Sequence, residues 1–275
     1  MVIFFSLTAI PFFIGLILLC FSQKSKKTGV LLFHRISKKH PKSLSQISAK
    51  QLYKFCEQIC LSSKKAVVFS QYSMQSENNI SIVFDDGDKS VFDIAYPILK
   101  KYNLTATVFI ASGIIENEKI DDFYSTKNMM SAENIKELSD FGWEIASHGV
   151  RHLDLTLLDE NDLYGELVHS KAKIEKLTGK PVSALSFPYG SWNEKIVKTA
   201  QNCGYEKFAV YRKHKFADEK KIIPATAVYP FDNSEGIKRK ISGEINGITK
   251  ATSLIVPHFA KGTPMFFWNK LYKFP

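Results

Sequence analysis

Cysteine is scarce in this chain, with four in 275 residues. That number and its spacing give no disulfide framework. Cys56 and Cys60 stand four apart on a predicted helix and share a face, yet no second ligand pair accompanies them. Buried free thiols are the reading they support. Long basic runs are also missing, although the formal net charge is +10. Lys24, Lys26 and Lys27 form one small group, Lys213 to Lys221 a looser one, and Lys238, Arg239 and Lys240 a third. A nucleic-acid binder needs a basic stripe with aromatic platforms, or a named motif. Neither is present, so the lysines read as solvated faces and no nucleic-acid partner is expected. Internal repeats and low-complexity stretches are absent as well. With 45% hydrophobic residues, the composition is that of a folded chain with one large core.

Charge is missing altogether between Val2 and Phe21, where Leu, Ile and Phe dominate. Such a length suits a helix that crosses a bilayer. No basic residue precedes the stretch and no small-x-small site follows it, which argues against a cleaved signal peptide. Cys20 follows Leu18 and Leu19, too large for a lipoprotein cleavage site. The expectation is a single-pass transmembrane anchor over residues 1–22, a signal segment being the alternative, with one domain over residues 23–275. Lysines follow the span, so the positive-inside rule puts that domain in the cytoplasm.

Beyond a polar linker, strands and helices alternate. Strands are predicted at Gly29–Phe33, Ala66–Phe69, Ile80–Phe84, Ala106–Ile110, Trp143–Ala146, Val182–Phe187, Phe208–Tyr211 and Ala225–Tyr229. Helical spacing marks Ala49–Leu61, Val91–Tyr102, Asp159–Leu177, Asn193–Asn202 and Ser234–Asn246. Ser131, with Asn134 in the place of a capping Glu, starts another helix that runs to Phe141. This order predicts βαβ units and a parallel sheet of about seven strands, either a barrel or a doubly wound sheet.

Such folds build their sites at the carboxyl ends of the strands. The unusual polar residues of this chain gather there: His34, Asp85 with Asp86, His148 with His152, and Pro188-Tyr189-Gly190. Two adjacent carboxylates repel and raise each other's pKa, and a cation beside them relieves that cost. An Asp-Gly turn after a strand is the plainer alternative for that pair on its own. His148 and His152 are four apart, so one helical turn would let both imidazoles face one point. Two imidazoles and one carboxylate make a common open zinc site.

The segments Phe84-Asp85-Asp86-Gly87, Ser147-His148-Gly149-Val150-Arg151-His152 and Phe187-Pro188-Tyr189-Gly190 resemble, in order and spacing, the motifs of the polysaccharide deacetylases. This family is also known as the NodB-homology domain or carbohydrate esterase family 4. The resemblance runs from about Gly29 to the Pro230 region and includes Tyr96-Pro97-Ile98-Leu99 and Ala106-Thr107-Val108-Phe109. It implies an α/β fold, a distorted (β/α)7-type barrel, that removes N-acetyl groups from sugar polymers with one divalent metal, usually zinc. By this resemblance Asp85 is the general base, and Asp86, His148 and His152 hold the metal. The Tyr189 backbone N–H helps to hold the oxyanion, and Phe187, Pro188 and Tyr189 line the substrate.

Some positions depart from the family pattern. Val83 stands where the family has Thr, and Ser186 where an Arg often orients the base. The C-terminal Leu-x-His that supplies the general acid is matched poorly by Val256-Pro257-His258. Leu32-Phe33-His34 fits better and resembles the permuted motif order of the poly-β-1,6-N-acetylglucosamine deacetylases. His34 is therefore the expected acid, ahead of His258. Peptidoglycan, chitin oligomers and lipid-linked sugars are alternative substrates, and a non-catalytic carbohydrate- or metal-binding relative is the alternative function. The implied chemistry favours a membrane-tethered domain outside the cytoplasm, against the lysine count, so the orientation stays open.

Overall fold

The computed structural model describes residues 29–116, 128–211 and 220–243. The predicted span over residues 1–22 and His258 lie outside them. None of the described helices is long and apolar enough to cross a membrane.

β1 (Val30–Phe33) is followed by a small parallel pair, β2 (Arg35–Ser37) with β3 (Gln46–Ser48). Neither member of that pair is visible in the sequence pattern. Next come α1 (Ala49–Leu61), β4 (Lys65–Ala66), β5 (Asn79–Phe84), α2 (Tyr96–Lys101) and β6 (Thr107–Ile110). After these stand α3 (Ala132–Asp140), β7 (Glu144–Ser147), α4 (Glu160–Thr178), β8 (Ala184–Ser186), α5 (Glu194–Asn202) and β9 (Lys207–Val210). β10 (Ile222–Pro224), β11 (Thr226–Ala227) and α6 (Ser234–Ser242) complete the described part.

Capping boxes open two of the helices. Ser48 and Gln51 form a capping box ahead of α1, and Ser131 and Asn134 form one ahead of α3. The helix expected over Val91–Tyr102 differs. It opens as a π-helical turn, Val91–Ala95, and becomes α-helical only from Tyr96. Pro97 has no N–H for the carbonyl four residues back, so a regular α-helix cannot run through this point unbroken. The strand expected over Ala66–Phe69 ends at Ala66, and Phe69–Gln71 is a 3₁₀ turn.

The main strands are parallel, in the spatial order β10-β9-β8-β7-β6-β5-β1-β11. β10 and β11 are the two ends of this order, yet only Ala225 separates them in the chain. One segment therefore borders β9 with its first half and β1 with its second. Val228 N–H continues the second half by donating to Leu32 O at 2.9 Å. A sheet whose two edges are one strand must curl into a ring, and the outcome is a nearly closed parallel barrel wrapped by helices.

Side chains alternate across the barrel wall. Leu31, Phe33, Ile82, Phe84, Val108 and Phe208 face outward and share a core with Leu52, Ile135, Leu167 and Ile196 of the helices. Val30, Leu32, Val83, Phe109, Ala146, Ala184, Ala209 and Ile223 fill the interior, together with Phe69 and Tyr72. Phe69 N–H donates to Thr107 Oγ1 at 2.7 Å, and Tyr72 Oη accepts from Gly29 N–H at 2.7 Å. Gly29 and Thr107 lie at strand starts, so these contacts plug the amino-terminal end. The carboxyl-terminal end is left for the site. Cys56 is buried and Cys60 exposed, both as free thiols. Burial pushes the Cys56 thiol up to about 12.

Candidate active site

One further step along the inward register carries polar groups to the barrel mouth. After Val83 comes Asp85, after Ala146 comes His148, after Ala184 comes Ser186, after Ala209 comes Tyr211 and after Leu32 comes His34. Period-2 alternation across five strands thus places five polar side chains on one interior.

Asp85 is 1% exposed. Its Oδ2 accepts a hydrogen bond from Ser186 Oγ at 3.1 Å. Its Oδ1 is buried and has no hydrogen-bond partner among the described residues. Burial first, and the Asp86 charge second, hold this carboxyl well above the usual carboxylate range; Ser186 and His152 oppose the shift and do not cancel it. Ser186 therefore stands in for the expected Arg by donating a neutral hydroxyl to the same carboxylate.

Alternation alone would turn Asp86 to the opposite wall from Asp85. A left-handed backbone, φ +75°, swings it back toward the mouth. Its Oδ1 lies 3.3 Å from His152 Nε2 and 3.6 Å from His148 Nε2. Burial raises the Asp86 pKa, but the His152 hydrogen bond and the charges of His34, His152 and His148 outweigh it. The carboxyl ends well below its usual range. One ligand atom from each of Asp86, His148 and His152 fits within 4.8 Å of the others.

His148 is 2% exposed, and its Nδ1 lies 2.8 Å from Ser186 O. A carbonyl only accepts, so Nδ1 carries the proton and the Nε2 lone pair faces the site. Burial, then the His152 charge, lower its pKa to about 3, so the ring is neutral near pH 7. The donor set fits a divalent metal of the zinc type: one carboxylate oxygen and two imidazole nitrogens, one with its tautomer fixed from behind.

The helical turn expected between His148 and His152 does not form. The segment is a loop, with φ +78° at Gly149 and +61° at His152. α4 holds it in place. Glu166 Oε2 accepts from the N–H groups of Val150 at 2.7 Å and Arg151 at 3.1 Å. Glu166 Oε1 accepts from Arg151 Nε at 2.7 Å. Ser170 Oγ donates to Gly149 O at 2.9 Å. A Cβ on residue 149 would come within 3.1 Å of Glu166 Oε2, so glycine suits both the space and the backbone there. The two histidines converge because a buried carboxylate clamps the loop between them, which spacing could not reveal.

His34 follows β1, the strand paired with β5, so it stands next to Asp85; it is half-buried, with Nε2 at 2.9 Å from Tyr211 Oη. Of the third motif, Phe187 is 1% exposed and stacks on Trp192 and Phe208 in the core. Pro188 is buried and opens the turn Pro188–Gly190. Tyr189, at φ +58°, sets its ring edge-on to His152 with centroids 4.7 Å apart. Of these three, Tyr189 is the one that brings a ring to the Asp86, His148 and His152 group. Asp86, His152 and Tyr189 are three of the four non-glycine residues with positive φ among the described residues. Backbone strain is thus concentrated at the site. Ser186, Tyr211 and Glu166 were missed by motif reading. The inward register of β8 and β9 was a usable signal for the first two; Glu166 offered none.

Residues 73–208 of this chain match the sequence model of the polysaccharide deacetylase family. That stretch holds Asp85, Asp86, His148, His152 and Tyr189 and stops short of His34 and Tyr211. The Bacillus subtilis protein YxkH, named as a candidate polysaccharide deacetylase, is 29% identical over 189 residues, 67% of this chain and 64% of its own. The poly-β-1,6-N-acetyl-D-glucosamine N-deacetylase of Staphylococcus aureus is 28% identical over 156 residues, 52% of this chain and 51% of its own. The chain thus spans between half and two thirds of the length of these relatives. A Streptococcus pyogenes deacetylase solved with acetate has the same fold, with a TM-score of 0.68 at 19% identity, over 78% of this chain and 98% of its own.

Proposed function

We propose that the chain is a metal-dependent N-deacetylase acting on a polymer of N-acetylglucosamine. One observation carries this reading. A buried carboxylate, Asp85, keeps an oxygen without a partner directly beside the Asp86, His148 and His152 donor set. A structural carboxylate in that position would be hydrogen-bonded on both oxygens or paired. The match to the family model and the similarity to a poly-β-1,6-N-acetylglucosamine deacetylase support the substrate class.

Asp86, His148 and His152 would hold the ion. When bound, it would draw the pKa of water toward ~7 and polarise the acetamide carbonyl. Asp85 accepts one proton from the attacking water as the new C–O bond forms. Ser186 keeps that carboxylate aimed through its other oxygen. The Tyr189 N–H donates to the oxygen that gains charge, an interaction of the kind whose removal costs about a hundredfold or more. As the C–N bond breaks, His34 gives its proton to the leaving amine, and acetate and a free amine result. The anchor over residues 1–22 belongs to the same proposal, with the domain tethered at a membrane close to its polymer; fractionation of tagged full-length chain tests it.

Acetate release from N-acetylglucosamine oligomers, with and without chelator, tests the activity. Release that stops with chelator and returns with zinc is expected. Asp85→Asn should keep the metal and lose turnover. Full activity in that variant sinks the assignment, and metal binding without any release points to the non-catalytic alternative.

A further inference from the structure

Tyr211 has no part in the chemistry above, yet it is a phenol at the barrel mouth, one residue beyond β9. Its hydroxyl meets His34 Nε2 at 2.9 Å across 177 positions of sequence. The two rings are nearly parallel, 24° apart, with centroids 6.4 Å from each other. Burial and the charges of Asp85 and Asp86 hold the phenol well above its usual range, so it stays a neutral hydroxyl. Space is kept for it by the neighbouring turn. A Cβ on Gly190 would come within 2.6 Å of Tyr211 Cδ2. Packing would need only the ring. A hydroxyl that reaches an imidazole nitrogen is a further specification, because a buried polar atom costs stability unless it is paired.

We propose that Tyr211 is a positioning residue for the reaction: its hydroxyl holds the His34 imidazole in the orientation from which it serves the leaving amine. The inference rests on the reading of His34 as the general acid. A hydrogen bond to one ring nitrogen fixes both tautomer and ring rotation, as it does for histidines in other sites.

A double-mutant cycle on the full chain tests this. Tyr211→Phe keeps the ring and removes the hydroxyl. It should lower kcat roughly tenfold, the size of a lost buried hydrogen bond, with KM within about twofold and zinc content unchanged. In a His34→Ala background the same change should cost nothing further. An equal loss in both backgrounds overturns the proposal, since packing alone would act whether or not His34 is present. Nitrogen-15 spectra of histidine-labelled protein give a reading that needs no turnover. The His34 Nε2 resonance should move in Tyr211→Phe, and an unmoved resonance overturns the pairing. Wild-type protein that releases no acetate while showing that shift sinks the deacetylase reading and leaves the pairing standing.

Discussion

In one part of the barrel mouth, Asp85 and Asp86 are consecutive and His148 and His152 are four residues apart. In another, His34 and Tyr211 are 177 positions apart and meet through one 2.9 Å contact, His34 adjoining the first part because β1 pairs with β5. The first part has supports 15 to 38 positions away in sequence. Ser186 O holds His148, and Glu166 holds the loop between the histidines with three hydrogen bonds. The second part spans the seam of the ring, because only the β10–β11 segment lies between β9 and β1. Local motifs with nearby clamps can form a metal centre that tolerates changes elsewhere. A histidine–tyrosine pair built across a closure depends on the whole ring being shut. The family's sequence match follows the same division, since it covers the first part and omits the second.

The largest expected effect separates the two parts at once. Asp86→Ala or His148→Ala should abolish stoichiometric zinc and lower acetate release by roughly a thousandfold or more, as several kcal/mol of charge stabilisation go. Elemental analysis alongside the activity assay checks this; a variant with full zinc content would show that the donor set is misassigned. His34→Ala should instead keep its zinc and lose about a hundredfold or more in kcat. Loss of zinc in His34→Ala would erase the distinction between the parts.

Glu166 sharpens the comparison at a smaller scale. Glu166→Ala should weaken zinc affinity about 10- to 100-fold, the usual cost of losing a group that orients a ligand. Glu166→Gln retains an acceptor and should lose less. Calorimetric titration of the metal-free protein measures both, and unchanged affinity in Glu166→Ala would mean that the loop holds without its clamp.

The smallest effect is on stability. The folded state raises the Asp85 pKa, so it binds that proton more tightly than the unfolded chain does. Stability is then lost as pH rises from the ordinary carboxylate range toward the folded pKa. Asp86 is lowered and has the opposite sign: its contribution is lost as pH falls. In chelator-treated protein at pH 7, Asp85→Asn should therefore melt higher than wild type, by roughly 2–4 °C per kcal/mol recovered. The gap should close as pH approaches 4. A variant that melts lower at pH 7 contradicts the burial of a reluctant charge at this position.

The Asp85–Asp86 and His148–His152 segments were legible because each is local. Asp85 ends an apolar strand, Asp86 adjoins it, and the two histidines occupy one short segment. Their roles came through resemblance, and their geometry did not follow from spacing: the imagined helical turn is a loop bent at Gly149 and His152. Ser186 looked like a departure from the family pattern, and its hydroxyl proved to reach Asp85. Phe187, read as part of a substrate surface, turns into the core because it falls on the outward register next to Phe208.

Sequence alone determined the strand–helix alternation, the caps of α1 and α3, and the period-2 register that ends five of the strands in a polar residue. All of these act through neighbours a few residues apart, where backbone geometry is the same in any fold. Tertiary structure decided which strand ends face one another, that β10 and β11 close the ring through Ala225, and that Tyr211 meets His34. Those contacts join residues far apart in the chain, and only packing of the whole barrel brings them within reach.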